Sequence, residues 1–366
     1  MVIVPDAPRE KLCAGAHALC SLSKAVCSAG VKLSSLKPFE HLLSAYGGDE
    51  YSIRLPTPLI SLIQSGKAAP GKNNCVKEFL IVSRPDMPLE EAVSRASAMQ
   101  ESLIKTLLIK TGVGIKNVSD TGSVCPLLDK PEQALEMIAE AATQNGLEMG
   151  KDFSIVLNAS AQECFDYEKG KYEVMTGVLK APEDMAEFWQ DLVTRYPVII
   201  GLIDPVRPEE RAAWNRICEL VSSRCLIITD RGYSRPALLA KQELDFFDFA
   251  TSGFTARLEG AASISDIVAV SKKMADADNV MVMACGQHET EDGCVVEAAI
   301  AARARFLKIG ALSRGERISK YNKLIGYERE LGERLAFWPE LTFPNIPPRL
   351  PTPDPTPPPN EDPTPN

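Results

Sequence analysis

The sequence predicts a closed α/β barrel that begins irregularly, and three observations predict it. From residue 52 onward, eight apolar runs of strand length recur: SIRLPTPLISLI, EFLIVS, FSIVLN, PVIIGLID, CLIITD, FFDFAT, VMVMAC and RFLKIG. Segments of helical period follow most of them, at 89–109, 132–144, 208–221 and 263–274, the alternation of βα units wound on a common sheet. The loop between the first two runs, QSGKAAPGKNN, is too short for a crossover helix, so that pair is expected to be antiparallel and the remaining six runs to form ordinary βα units.

Taken in chain order, the first element is a helix over about 10–29, on which Cys13, Cys20 and Cys27 recur every seven residues and share one face. Neighbours seven apart do not suit chelation from one helix, and thiols are among the most buried side chains, so these are read as facing the core. The eight strands follow. In such barrels chemistry sits at the C-terminal strand ends, which singles out Asn158, Ile203, Asp204, Pro205, Asp230, Thr255, Arg257, Cys285 and Lys308. After residue 341 the chain reads TFPNIPPRLPTPDPTPPPNEDPTPN, where proline dominates and apolar anchors vanish; a disordered, polyproline-like tail is expected, of a kind that docks on aromatic-lined grooves.

Composition bounds the function class. With 45% hydrophobic and 24% charged residues the chain falls among soluble globular proteins, and no apolar run approaches the roughly 20 residues of a membrane span. The opening MVIVPDAPREKLC carries an aspartate and a proline where a secretory signal keeps its apolar core, so a cytoplasmic protein is expected. The net charge of -9, with lysines and arginines scattered rather than striped, argues against a nucleic acid partner. Ten cysteines without a CxxC, beside three histidines, fit neither a zinc module nor a disulfide framework.

The segment LKIGALSRGERISKYNKL resembles the IKTGAP.RSERLAKYNQLL stretch near the end of enolases. Before it, VMVMACGQHETED resembles the family's VMVSHRSGETED, GLIDP its SIEDP, IVLNASAQECF its MDVAASEFY, NVSDTGSVCP its NVGDEGGFAP, and LPTPLISLIQSG with VKEF its LPVPAFNVINGG with QEF. The resemblances keep family order from residue 15 to about 337. They imply an enolase-type (β/α)8 barrel, β2α2(βα)6, over 52–341, with 1–51 a helical remnant of the N-terminal domain and 342–366 the proline-rich tail. GAHALCSLSKAV is similar to the family's GANAILGVSLAV, so the small N-terminal sheet domain and its mobile loop are expected to be largely absent. A fragment, a short isoform and a protein that works without that lid all stay open.

Enolases interconvert 2-phosphoglycerate and phosphoenolpyruvate with magnesium. The difficulty is removal of a weakly acidic proton beside a carboxylate, so metal ions, a lysine base, an acid and phosphate donors must act together. Carried onto this sequence, the three metal-ligand positions fall on Asn158, Ile203 and Asp230: an amide, an alkyl group and a single carboxylate. Magnesium needs anionic oxygens, so a weak or empty site is expected, with Asp204 as a substitute ligand only if it swings inward. Arg231 stands where a second carboxylate is usual. The lysine base maps onto Thr255, with Arg257 nearby but a poor base. The acid maps onto Thr121, the loop histidine at or near Ala69, and SHRS onto Ala284, Cys285, Gly286 and Gln287, with His288 just beyond. Glu78 and Lys308 survive as catalytic positions, Lys308 also as a substrate-binding one, beside the scaffold signatures Glu163, ETED at 289–292 and SKYN at 319–322. For Lys308 the sequence leaves a ligand role and a structural ion pair side by side.

Three functions follow from the resemblance. The first is an enolase-fold pseudoenzyme with a degraded site, a structural or complex-forming component of a cytoskeletal or glycolytic assembly, set in the sperm flagellum by resemblance to a divergent branch of the family. The second is a working phosphopyruvate hydratase, a lyase of glycolysis. The third is a barrel that binds a phosphorylated small molecule without turning it over. Partners implied are such a metabolite, cytoskeletal or glycolytic proteins, and a second enolase chain in a homodimer or heterodimer; nucleic acid and membrane are not.

Overall fold

The computed structural model describes residues 15–45, 53–67, 69–111, 118–232, 251–261, 263–341 and 343. Eleven strands lie among them: β1 Thr57–Gln64, β2 Glu78–Ser83, β3 Phe153–Asn158, β4 Phe165–Asp166, β5 Lys171–Met175, β6 Val178–Lys180, β7 Ile199–Ile203, β8 Leu226–Thr229, β9 Gly253–Ala256, β10 Val280–Ala284 and β11 Phe306–Gly310. Eight of them close a barrel in the order β1, β11, β10, β9, β8, β7, β3, β2. As expected, β2 runs antiparallel, to β1 on one side and β3 on the other, and every other neighbouring pair in the barrel is parallel.

That reversal positions the site. Because β2 runs backwards, its first residue, Glu78, lies at the end of the barrel where the parallel strands finish. Register does the rest: Glu78 pairs with Gln64 and Asn158, Asn158 with Ile203, and Ala284 with Lys308. Residues far apart in sequence thus stand in one ring, by strand pairing alone.

The barrel interior is apolar, formed by Leu59, Leu80, Val156, Ile203, Ile228 and Phe306 among others, and Leu341 and Phe343 pack against its lower end. A larger core lies between strands and helices, anchored by the fully buried Trp189 and Trp214 on helices Asp184–Arg195 and Arg211–Val221. Among the described residues no helix is long and apolar enough to cross a membrane.

Three details differ from the sequence expectation. The sixth barrel strand is Gly253–Ala256, beyond the FFDFAT run, of which 246–250 lie outside the described residues. Gly253 belongs inside the strand, where a Cβ would sit 2.5 Å from Val280 Cγ2 and 2.6 Å from Val280 O. The N-terminal helix spans Ala16–Ser34, ending at Ser35 in a left-handed conformation; Cys20 is buried and Cys27 half-buried, while Cys13 lies outside the described residues. A small antiparallel sheet, β4-β5-β6, was not expected at all. The tail expected at 342–366 lies outside the described residues apart from Phe343.

Candidate functional site

A cavity of about 740 Å³ opens at the C-terminal end of the barrel, lined by Glu78, Thr121, Asn158, Asp230, Cys285 and Lys308 among others. Two clamps dominate its floor. On one side Lys308 Nζ lies 2.6 Å from Glu78 Oε2, and Asn158 Nδ2 donates to the same oxygen at 2.6 Å. Glu78 is 4% exposed. Burial works against its charge, but Lys308, by charge and hydrogen bond, together with Asn158, holds its carboxyl below the ordinary carboxylate range.

On the other side Arg257 grips Asp230 with both arms of its guanidinium, Nη1 to Oδ1 and Nη2 to Oδ2, the second at 2.6 Å. Such a planar fork on a carboxylate is the strong form of the ion pair. Burial opposes the charge on Asp230 as well, and the Arg257 contact outweighs it, so the carboxyl is held low while the guanidinium is held firmly protonated.

Asp204 does not reach the cavity as a substitute ligand. It is wholly buried, with φ 46°, and its carboxylate accepts the backbone N–H of Asp230 at 2.8 Å and of Arg231 at 3.1 Å. Both oxygens are committed to holding the β8 turn. Burial, reinforced by the charge of Asp230, pushes this carboxyl up to about 7.

The remaining positions are brought to the same end in other roles. Thr121, expected from the resemblance at the acid position, donates to Gln64 Oε1 at 3.1 Å and lies 3.0 Å from Ser123 Oγ, a hydroxyl network with no ionisable member. Thr255 is buried and its Oγ1 has no partner. Ile203 is buried in the apolar barrel interior rather than lining the mouth. The Cys285 thiol is pushed up by burial, so it stays protonated and unreactive at neutral pH. His288 lines the cavity, whereas Ala69 does not.

Magnesium does not fit these residues. Asn158 turns its amide N–H₂ toward Glu78, and its Oδ1 accepts from Ser160 Oγ at 3.1 Å; Ile203 has no ligand atom; Asp230 is spent on Arg257. Among the described residues no group of three or more His, Cys, Asp or Glu side chains is arranged to hold a metal ion. An octahedral hard cation needs several free anionic oxygens, and a guanidinium already takes up those of Asp230.

The cation that matters at Asp230 is therefore Arg257. Arg231, which stands out in the sequence, keeps an exposed side chain and engages Asp204 through its backbone. Sequence reasoning expected the N-terminal helix but missed its place at the site: on Ala16–Ser34, His17, Cys20, Ser21 and Lys24 line the cavity, and the helix is tied down by Lys24 to Asp292 at 2.9 Å and by Ser23 Oγ accepting from Ile264 N at 3.1 Å. The one sequence signal for the clamps was arithmetic: two carboxylates, Glu78 and Asp230, and two cations, Lys308 and Arg257, stand at or beside four strand ends.

A family model described as enolase, C-terminal TIM barrel domain, matches residues 52–342. Enolase 4 of Xenopus tropicalis is 33% identical over 348 residues, covering 93% of this chain and 60% of that protein. Enolase 4 of Xenopus laevis is 32% identical over 347 residues with the same coverage, and Enolase 4 of Homo sapiens is 30% identical over 362 residues, covering 93% of this chain and 58% of its own. The chain spans about 60% of the length of these curated relatives.

Proposed function

The chain belongs to the enolase family, and from that premise we propose that it is a non-catalytic member, a structural or complex-forming barrel that does not dehydrate 2-phosphoglycerate. Enolases as a family are magnesium-dependent; here the proposal is that the mouth has become a closed electrostatic structure in which protein cations do the charge balancing. The observation that carries this reading is the pair of clamps. Each carboxylate expected to survive from the family site, Glu78 and Asp230, has a side chain nearly withdrawn from solvent (5% and 8% exposed) and is paired within the chain, with Lys308 and Arg257.

Reaction chemistry supports it. A general base supplies about 10² to 10⁴ in rate, and Thr255 cannot act as one; the acid position, Thr121, offers only a hydroxyl. A phosphorylated carboxylate substrate is strongly anionic, and the cavity that would receive it is lined by six carboxylates, Glu78, Glu163, Asp230, Glu259, Glu289 and Asp292, against five lysines and arginines. Without metal ions this lining offers no surplus of positive charge, which also weighs against a phosphometabolite binder. The setting in a cytoplasmic cytoskeletal or glycolytic assembly, the flagellum included, belongs to the same proposal and rests on family resemblance.

A coupled assay of 2-phosphoglycerate dehydration on the purified chain, with and without magnesium, tests the proposal. No turnover is expected. Turnover at an ordinary enzyme rate, abolished by Lys308→Ala so that a contaminating enolase is excluded, refutes it. Titration with phosphoenolpyruvate separates the binder: saturable binding at micromolar concentration would replace the structural reading with that one.

A further inference from the structure

The opposite end of the barrel carries a buried cation with no counterion among the described residues. Arg305 immediately precedes β11 and is 6% exposed. Its Nη2 donates to Pro339 O at 2.9 Å, and its Nε, also buried, has no acceptor. The guanidinium lies 5.0 Å from the centroid of the Trp338 ring, and a second guanidinium, Arg54, lies 5.4 Å from the same centroid. No carboxylate among the described residues lies within ion-pair distance of either arginine. Burial and the neighbouring Arg54 pull Arg305 down to about 10, still protonated at neutral pH.

Arg305 lines a cavity of about 430 Å³, with Ser252, Ser271, Asn279, Arg303 and Trp338. Ser252 Oγ accepts from Ile227 N–H at 3.1 Å, which leaves its own hydroxyl proton free to donate; Asn279 uses one amide hydrogen on Ala277 O and has a second. Two acids, Asp278 and Glu340, sit at the rim, but both are exposed, so water screens them from the buried guanidinium. The lining thus combines a desolvated cation, neutral donors and one aromatic wall.

An unpaired buried charge costs several kcal/mol, and a diffusible counterion that enters recovers part of that cost. We propose that this cavity is a binding site for an oxyanion, a carboxylate or phosphate group of a small molecule, with Arg305 as its counter-cation. The site lies at the N-terminal strand ends, remote from the mouth described above, and is independent of whether the mouth is catalytic.

The test is calorimetric titration of the whole chain with inorganic phosphate and, in a second arm, with acetate, at ionic strength held constant with chloride. Saturable one-to-one binding of at least one probe is expected, and the tighter probe identifies the head group. Arg305→Gln should weaken it by about tenfold or more, the loss of one charge-assisted hydrogen bond, Arg305→Lys less, and Lys77→Gln, a change at the mouth, not at all. Should Arg305→Gln fail to fold, Ser252→Ala serves in its place, with a several-fold loss expected. No saturable response to either probe at 10 mM, or binding that survives both Arg305→Gln and Ser252→Ala, overturns the proposal and leaves Arg305 as a packing partner of Trp338.

Discussion

Replacing Lys308 by methionine tests whether this lysine is a structural counterion. At 2.6 Å and an effective dielectric of 20, its attraction to Glu78 is about 6 kcal/mol, against a desolvation cost of several kcal/mol for each ion. The intact pair is therefore close to break-even, but removing one partner leaves the other charged and buried. Lys308→Met should cost about 3–5 kcal/mol at pH 8, since Glu78 retains only the Asn158 amide beside it. The sign of the pH dependence follows. In the parent, Glu78 titrates below its ordinary value, so its contribution is present above that value and lost as pH falls through the lowered one. In the variant, burial without Lys308 raises Glu78 above its unfolded value; the folded state then binds more protons, and stability drops as pH rises through the window between the two. Both effects make the deficit smaller at pH 5 than at pH 8. The double variant Glu78→Gln with Lys308→Met should recover most of the loss. Urea denaturation at both pH values measures all of this. A neutral or stabilising Lys308→Met at pH 8 would refute the reasoning and mark the lysine as one held against stability for function.

Magnesium at about millimolar level should raise the parent's melting temperature only slightly, because a ligand stabilises by mass action only where it binds; a large saturable rise would show that the clamps open. Restoring carboxylates by Asn158→Asp and Ile203→Glu should lower stability without creating magnesium affinity, since the first faces Glu78, the second enters the apolar barrel interior, and Arg257 still covers Asp230; calorimetric magnesium binding by this variant would contradict the donor analysis. Asp204, raised to about 7, binds protons in the folded state over a window where the unfolded chain does not, so its contribution falls as pH rises through that window. Asp204→Asn should therefore fare better relative to the parent at pH 8 than at pH 5, and a pH-independent difference would exclude the assignment. Gly253→Ala should cost about 1–3 kcal/mol by crowding Val280, read as a fall in denaturation midpoint, with an unchanged midpoint counting against the close approach.

The barrel was legible because period carries through the sequence. Eight apolar runs and one loop too short for a crossover gave strand number, order and the antiparallel start; strand ends then named Asn158, Asp230, Cys285 and Lys308 for one mouth, and the family resemblance added Glu78, which lines the same cavity. What stayed hidden depends on side-chain direction. Arg257 and Arg231 both read as cations near Asp230, yet only the first turns its guanidinium to that carboxylate, while the second uses its backbone on Asp204. Asp204 stayed open as a substitute ligand because nothing in a sequence displays the N–H groups that hold it. Arg305 was invisible for the converse reason: a strand-leading arginine looks solvated until Trp338, more than thirty residues later, lies across it.

The pattern of change at the mouth is also informative as a set. Decay at random would leave charges stranded, since losing a divalent cation from among carboxylates leaves like charges facing one another at low dielectric. Instead Asn158 supplies a donor where a carboxylate would repel Glu78, Ile203 completes an apolar layer, and Arg257 brings to Asp230 a cation that cannot dissociate. A tethered guanidinium stabilises the carboxylate at every magnesium concentration, but it has no open coordination position and cannot polarise a substrate as a metal does. On the proposed function, stability of the mouth independent of metal and loss of Lewis-acid chemistry would follow from one and the same contact, as a barrel kept for its surface rather than its turnover requires.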